Sequence, residues 1–163
     1  NFLNNFKKVE NNFKCLFVGG PSGVSGEKYL QALKEKVKDF NLESHVEFLD
    51  NLPQTKIREL LNKSKLLIHT SQFETFGLVA AEANAMGVPV LTTNNGSLLE
   101  IIENNVNGYY SKSLIDGSVN KFVQDLLNDN KKFDHLMFNC IDKSKKYNWV
   151  STANEIESLY KII

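Results

Sequence analysis

The sequence predicts a doubly wound α/β fold, in which parallel strands alternate with helices that cover both faces of the sheet. Short apolar runs typical of buried strands alternate with longer segments whose apolar residues recur at helical spacing. Glycine or proline stands at several of the boundaries between these segments. The length of 163 residues and the hydrophobic content of 42% suit one globular domain with a core of its own.

In the first half of the chain, the predicted order is helix, strand, helix, strand, helix. The run at 14–19 is continuously apolar and ends in glycine, which is typical of a strand buried on both faces. No strand stands ahead of the first helix, so we expect the first strand of the sheet to be missing from this sequence. The predicted elements are a helix at 2–9, a strand at 14–19, a helix at 29–40, a strand at 45–49 and a helix that starts at Pro53.

The second half continues the alternation and ends in helices. Gly87 follows a helical segment as a C-terminal glycine does, and Pro89 indicates the start of a strand. The predicted elements are a strand at 66–70, a helix at 76–86, a strand at 88–92, a helix at 97–103, a strand at 108–110 and helices from Leu114 onward. The final helix, 149–163, carries one apolar stripe formed by Trp149, Ala153, Ile156, Tyr160 and Ile163.

Charge and composition exclude several classes of protein. Nineteen basic and nineteen acidic residues cancel, so no nucleic-acid partner is expected. No apolar run is long enough to cross a membrane, which leaves peripheral contact as the one membrane interaction still open. Cys15 and Cys140 match no metal-binding spacing, and two reduced thiols in a cytoplasmic protein are favoured over a disulfide.

The main candidate site follows the third predicted strand. Phe76, Gly77 and Leu78 stand at the predicted N-terminus of a helix, where backbone amides and the helix dipole favour a phosphate. Glu74 in the preceding loop and Glu82 inside the helix are suited to accept hydrogen bonds from sugar and ribose hydroxyls. By spacing alone, the favoured interpretation is that both glutamates are partners of the helix dipole. A hydrolase-like acid/base pair fits less well, because both stand beside one helix start.

Two further loops follow predicted strands. The glycine cluster that includes Gly20 and Ser22 lacks the spacing of a nicotinamide-binding turn, and it either forms a plain loop or faces a ligand. Ser97, after the fourth strand, suits the N-cap position of the next helix. The three histidines do not cluster in the sequence, and each is interpreted as structural.

A resemblance to the C-terminal, donor-binding domain of GT-B glycosyltransferases is carried by three stretches, SQFETFGLVAAEANAMGVPVL, NGSLLEII and NGYY. The nearest group is the retaining glycosyltransferase family 4, whose E-x7-E motif corresponds to Glu74 and Glu82. Two other stretches, GGPSG and VEFLD, are similar to the sucrose-phosphate synthase and glycosyl-inositol-phosphate transferase branch. The resemblance runs through the whole chain and is tightest over 65–110.

The resemblance implies a Rossmann-like half of a GT-B fold that holds a nucleotide-diphosphate sugar and transfers the sugar, with retention, to an acceptor hydroxyl. Glu82 would bind the ribose, Glu74 would be the catalytic contact to the donor sugar, and the amides at the helix start would contact the diphosphate. Gly20 and Ser22 would lie beside the nucleotide, and the loop after Phe48 near the base. No metal or other cofactor is implied.

The sequence departs from the family's pattern in two places. Asn95 and Gly96 stand where the family has a Gly-Gly pair. The sequence also begins after the loop whose Arg and Lys hold the diphosphate, and without the N-terminal acceptor domain. The resemblance therefore implies a fragment, truncated at its N-terminus and inactive alone. Two alternatives stay open: a non-catalytic sugar-nucleotide or protein-binding module of this fold, and a sugar-nucleotide epimerase.

Overall fold

A computed structural model describes residues 1–71, 74–94 and 96–161. In this part of the chain parallel strands alternate with helices, so the predicted α/β class is confirmed. The chain divides into two compact units, Asn1–Glu59 and Leu60–Ile163. Each unit carries its own parallel sheet.

The first unit contains a parallel pair of strands, β1 (Cys15–Val18) and β2 (Val46–Leu49), with Cys15 opposite Val46. Its helices are α1 (Phe2–Lys7), α2 (Gly26–Asp39) and α3 (Gln54–Leu61), the last of which runs on into the second unit. Phe6 on α1 is buried, and its ring contacts those of Phe2 and Phe13. The apolar spacing of the first residues therefore forms the helix that it predicts.

The prediction that β1 is buried on both faces was wrong. Leu16 and Val18 are 37% and 44% exposed, while Cys15 and Phe17, on the other face, are half-buried. Within the described residues β1 pairs with β2 alone, and the face that carries Leu16 and Val18 is only partly covered. A continuous apolar run shows which residues favour burial. Burial on both faces also needs other elements of the fold that pack against the strand.

The second unit contains a three-stranded parallel sheet in the order β3 (Leu67–His69), β4 (Val90–Thr93) and β5 (Gly108–Ser111). Its helices are α4 (Leu78–Ala85), α5 (Leu98–Ile101), α6 (Gly117–Asn128), α7 (Asn130–Ser144) and α8 (Trp149–Tyr160). The core joins one face of α4 to β4 and α5, and its buried residues are Ala80, Ala81, Ala83, Val88, Val90, Leu98, Ile101 and Ile102.

The end of α4 follows the glycine prediction. Gly87 has a φ of +74°, which few other residues adopt without strain. Its amide donates to the Asn84 carbonyl at 2.9 Å, and the Val88 amide donates to the Ala83 carbonyl at 2.8 Å. These bonds satisfy carbonyls at the end of the helix and direct the chain into β4.

A buried polar network ties α4 to the loop before β5. The Asn107 side-chain amide donates to Asn84 Oδ1 at 2.6 Å and to the Ile101 carbonyl at 2.8 Å. Asn107 Oδ1 accepts from the Glu103 amide at 2.7 Å. Asn84 in turn donates to the carbonyls of Val88 and Asn107, at 3.1 and 3.2 Å. The network compensates for burying both asparagines, and the sequence analysis did not predict it.

The last helix is exposed along its apolar stripe. Trp149 and Tyr160 are 88% and 75% exposed, and α8 has no buried residue. Ile163, the last residue of the predicted stripe, lies outside the described residues. Among the residues that the structure describes, no helix is both long and apolar enough to span a membrane.

The two cysteines are free thiols, as predicted. Burial raises the pKa of Cys15 to about 11 and that of Cys140 to about 12. Because the thiolate is the reactive form of cysteine, neither side chain is a ready nucleophile.

Candidate functional site

The main candidate site lies where β3 leads into α4. Helix α4 begins at Leu78, and Gly77 occupies its N-cap position with a φ of +89°. Phe76, Gly77 and Leu78 therefore stand at the helix start, as the sequence predicts. Phe76 and Leu78 are 44% and 66% exposed, whereas Gly77 is buried. The first turn of α4 carries no acidic side chain, and the Glu74 side chain of the preceding loop lies beside Gly77.

Contacts from three sides hold Glu74. The Thr75 amide donates to its Oε1 at 3.1 Å, and Nε2 of His69 lies 3.5 Å from its Oε2. The Ser97 hydroxyl donates to the Glu74 backbone carbonyl at 3.1 Å. The Glu74 side chain is 24% exposed, so it is sheltered but still accessible to a ligand.

Ser97 does not act as the sequence predicts. It occupies the N-cap position of α5, but its side chain makes no capping hydrogen bond. Its hydroxyl is instead committed to the Glu74 carbonyl. In this tertiary contact the hydroxyl donates its proton, whereas a cap would use an oxygen lone pair to accept from a backbone amide of α5.

His69 is the residue of this site that sequence analysis missed. It is the last residue of β3, and its side chain is 15% exposed. Its Nδ1 is buried and has no hydrogen-bond partner among the described residues. A signal was present in the sequence: ligand sites of parallel sheets lie at the carboxyl ends of strands, and His69 stands at such an end.

Glu82 lies inside α4, little more than one turn from the helix start, and its side chain is exposed. Its backbone carbonyl accepts from the Met86 amide at 3.2 Å, which is an ordinary helical bond. Glu74 precedes α4 and Glu82 lies inside it, and both residues belong to the second unit. Their proposed contacts to a ligand stay predictions.

The glycine loop, with Gly20 and Ser22, belongs to the first unit. The Gly20 amide donates to Oδ1 of Asn51 at 2.9 Å, which joins the loop after β1 to the loop after β2. A Cβ on Gly20 would lie 3.0 Å from Nδ2 of Asn51. Ser22 is exposed. Asn51 was not predicted, since a partner 31 residues away leaves no local pattern.

The region of the predicted departure from the family's glycine pair is described only in part. Asn95 lies outside the described residues. Gly96 has a φ of +57°, and a Cβ there would lie 3.1 Å from the Glu74 carbonyl oxygen. Within the described ranges, no group of three or more His, Cys, Asp or Glu side chains is arranged to hold a metal ion.

The structure changes the expected effect of substituting Gly77. From sequence alone, alanine there should spare the fold, because it is a better helix former than glycine. In the structure a Cβ would lie 2.7 Å from Cδ2 of Leu98 and 3.3 Å from Cδ1 of Ile101. We therefore expect Gly77→Ala to lower the free energy of unfolding by about 2–3 kcal/mol, as measured by urea denaturation.

Gly23→Ala is the matched control for that measurement. Gly23 has a φ of +70° and nothing within 4 Å of its Cβ position, so alanine there adds backbone strain without a clash. The contact with Leu98 should make Gly77→Ala the more destabilising of the two. Equal losses in the two variants would show that packing against α5 does not constrain Gly77.

Comparison with known proteins gives consistent sequence matches. A family model described as "Glycosyl transferases group 1" matches residues 1–146. The alpha-1,3/1,6-mannosyltransferase ALG2 of Dictyostelium discoideum is 32% identical over 129 residues, which cover 76% of this chain and 31% of that protein. The D-inositol 3-phosphate glycosyltransferase of Corynebacterium efficiens is 26% identical over 155 residues, which cover 93% and 35%. The chain spans about a third of the length of these two relatives.

Solved structures match over nearly the whole chain. HepE of Anabaena, in complex with UDP and glucose, has a TM-score of 0.85 at 22% identity and is matched over 99% of this chain and 44% of that one. The sucrose-phosphate synthase of Thermosynechococcus elongatus has a TM-score of 0.83 at 22% identity, over 98% and 41%. At this level of identity, the likeness concerns the fold alone.

Proposed function

This chain belongs to the glycosyl transferases of group 1, and from that premise we propose that it is the donor-binding part of a retaining glycosyltransferase of family 4. Its fold is that of GT-B glycosyltransferase structures. The observation that carries the proposal is the placement of Glu74 before the start of α4 and of Glu82 inside it, in the E-x7-E spacing.

The diphosphate of a nucleotide-diphosphate sugar fits the start of α4. The backbone amides of Gly77 and Leu78 stand at the positive end of the helix dipole. Negative charge grows on the diphosphate as the bond to the sugar breaks. Fixed amide dipoles at this position would stabilise that charge without having to reorient.

The two glutamates divide the hydroxyl groups of the donor. Glu74 contacts the donor sugar, and it is suited to this because its carboxylate is held in place beside the helix start. Glu82, exposed and further along the helix, accepts hydrogen bonds from the ribose. Hydrogen bonds to a charged carboxylate are stronger than those between neutral groups. Two carboxylates are therefore well suited to bind a ligand with several hydroxyl groups.

The family resemblance implies a further contact to the nucleotide in the glycine loop of the first unit. Gly20 and Ser22 lie beside the nucleotide in this proposal, and Asn51 orders the loop by accepting from the Gly20 amide. The HepE structures contain UDP, UDP-glucose, or UDP and glucose, which supports a nucleotide sugar as the ligand.

Transfer needs an acceptor, which we propose is bound by a further, N-terminal domain. The chain covers 44% of HepE and about a third of the curated relatives, so the matched proteins contain sequence beyond the matched part. In this proposal the chain is inactive alone. We place the reaction in the cytoplasm, with the free thiols as support. That no metal takes part is an expectation from the family resemblance.

Glu82→Ala in the whole protein tests the proposal. Losing a charged hydrogen-bond acceptor should weaken binding of the nucleotide sugar by roughly 1–3 kcal/mol. Because the contact is to the ribose, binding of the matching nucleoside diphosphate should weaken equally. Isothermal titration calorimetry with UDP-, GDP- and ADP-sugars, each beside its nucleoside diphosphate, measures both.

Glu35→Ala is the matched control, since Glu35 is also an exposed glutamate within a helix, α2. Its affinity should equal that of the unsubstituted protein. If the unsubstituted protein binds none of these ligands, or if Glu82→Ala binds as tightly as the control, the proposed site is wrong. Binding without any sugar transfer would favour a non-catalytic binding module, and interconversion of the bound sugar would favour an epimerase.

A further inference from the structure

We propose that His69 is a positioning residue for Glu74, which fixes the carboxylate in the orientation that receives the donor sugar. The inference rests on the proposed function of Glu74 and deepens it. Sequence reasoning gave His69 a structural role only. The evidence is the set of contacts that His69, Thr75 and Ser97 make around Glu74.

Both carboxylate oxygens of Glu74 face a polar group of the protein. The Thr75 amide donates to Oε1 at 3.1 Å, and Nε2 of His69 lies 3.5 Å from Oε2, within ion-pair range. A glutamate side chain gives up appreciable rotamer freedom when a ligand fixes it. Here that loss is incurred on folding, so a ligand meets a carboxylate that is already oriented.

The carboxylate also keeps room for a ligand. An ionised carboxylate offers about four lone-pair positions. The Thr75 amide uses one on Oε1, and His69 Nε2 faces Oε2 at 3.5 Å, so positions remain on both oxygens for sugar hydroxyls. The Glu74 side chain is 24% exposed, so these positions are accessible.

The backbone of Glu74 is held as well as its side chain. The Ser97 hydroxyl holds its carbonyl oxygen at 3.1 Å, and Gly96 allows that approach because a Cβ at Gly96 would lie 3.1 Å from the same oxygen. The main chain is thus tied to the start of α5 while the side chain is tied to the end of β3. Together they restrain both ends of the Glu74 side chain.

Packing alone does not explain a histidine at position 69. Its Nδ1 is buried without a hydrogen-bond partner among the described residues, which is unfavourable for a polar atom. An apolar side chain would fill the same space without that penalty. The other nitrogen, Nε2, lies 3.5 Å from Oε2 of Glu74, so a proton carried on Nε2 would face the carboxylate.

The experiment compares His69→Ala, His69→Gln and the control His135→Ala in the whole protein. His135 lies on α7, where its ring contacts Asn139. Each variant is titrated with the nucleotide sugar and the nucleoside diphosphate that the unsubstituted protein binds from the panel of UDP-, GDP- and ADP-sugars. His69→Ala should weaken binding of the nucleotide sugar about tenfold and leave the nucleoside diphosphate within about twofold, as expected of an indirect ligand-orienting contact.

Two further measurements separate positioning from a merely structural role. Glutamine keeps an N–H donor, so His69→Gln should recover most of the affinity for the nucleotide sugar. In a Glu74→Ala background, His69→Ala should weaken that affinity by no more than about twofold, because the residue it orients is gone. Melting temperatures identify any variant that does not fold. If His69→Ala does not fold, the affinities of His69→Gln provide the test instead.

The outcomes distinguish the two proposals. If His69→Ala weakens the nucleotide sugar and the nucleoside diphosphate equally, or retains its full effect without Glu74, His69 serves the fold and the inference is wrong. If Glu82→Ala weakens binding as expected but His69→Ala does not, the inference alone fails. If the unsubstituted protein binds no member of the panel, the proposed function fails and the role of His69 fails with it.

Discussion

Gly108→Ala is expected to lower the free energy of unfolding by about 3 kcal/mol or more, a large loss for the addition of one methyl group. Gly108 is the first residue of β5, and a Cβ there would overlap the carbonyl oxygen of Val90 and lie 2.9 Å from Cγ2 of Ile102. Val90 belongs to β4, which pairs on both sides. Relieving the overlap therefore requires moving β5 away from β4, which breaks their hydrogen bonds.

Urea denaturation of the whole protein measures this effect, with Gly117→Ala as the matched control. Gly117 is the first residue of α6, and nothing lies within 4 Å of its Cβ position. Alanine there should be neutral or slightly stabilising, because it restricts the unfolded chain more than glycine does. Similar stability of the two variants would mean that β5 does not pack against β4 as described.

Glu74→Gln is expected to reduce the rate of sugar transfer about 100-fold if Glu74 is the contact to the donor sugar. Glutamine has nearly the same shape but has no charge, and one carboxylate oxygen is replaced by a donor group. Displacing the donor sugar by about an ångström from its reactive position lowers the rate of transfer by roughly this factor. Steady-state kinetics of the whole protein give kcat and KM, and the effect should appear mainly in kcat.

Two controls accompany the Glu74→Gln measurement. Binding of the nucleoside diphosphate should be unchanged, because that ligand lacks the sugar. Glu35→Gln, an exposed substitution on α2, should transfer sugar at the normal rate. Transfer at the normal rate by Glu74→Gln would remove Glu74 from the catalytic site and leave it as a partner of the helix dipole.

Local signals in the sequence predicted most of the elements. The C-terminal end of α4 was predicted from Gly87, which adopts a positive φ angle in the structure, whereas the helix begins at Leu78, two residues after the predicted start. Pro53 precedes α3 and Pro89 precedes β4, as their restricted backbones suggest. Such features can be recognised from sequence because a residue's own stereochemistry decides them.

Contacts between distant segments were not predicted. Asn107 donates to Asn84, 23 residues away. Ser97 makes no capping bond at its N-cap position and donates instead to the Glu74 carbonyl, also 23 residues away. Neither pairing has a spacing pattern, because it depends on which loops the strand order brings together. The exposed stripe of α8 is a related case: the periodicity predicted the helix, but periodicity does not say what covers its apolar face.

The sequence by itself determined the parallel α/β class, the placement of Phe76, Gly77 and Leu78 at a helix start, and the E-x7-E spacing of Glu74 and Glu82. Only the tertiary structure decided that His69 faces the Glu74 carboxylate and that Leu98 bars a side chain at Gly77. The physical reason is that backbone preference and apolar periodicity act within a few residues along the chain. The surroundings of a carboxylate or a glycine are set instead by the side chains that packing brings from other elements.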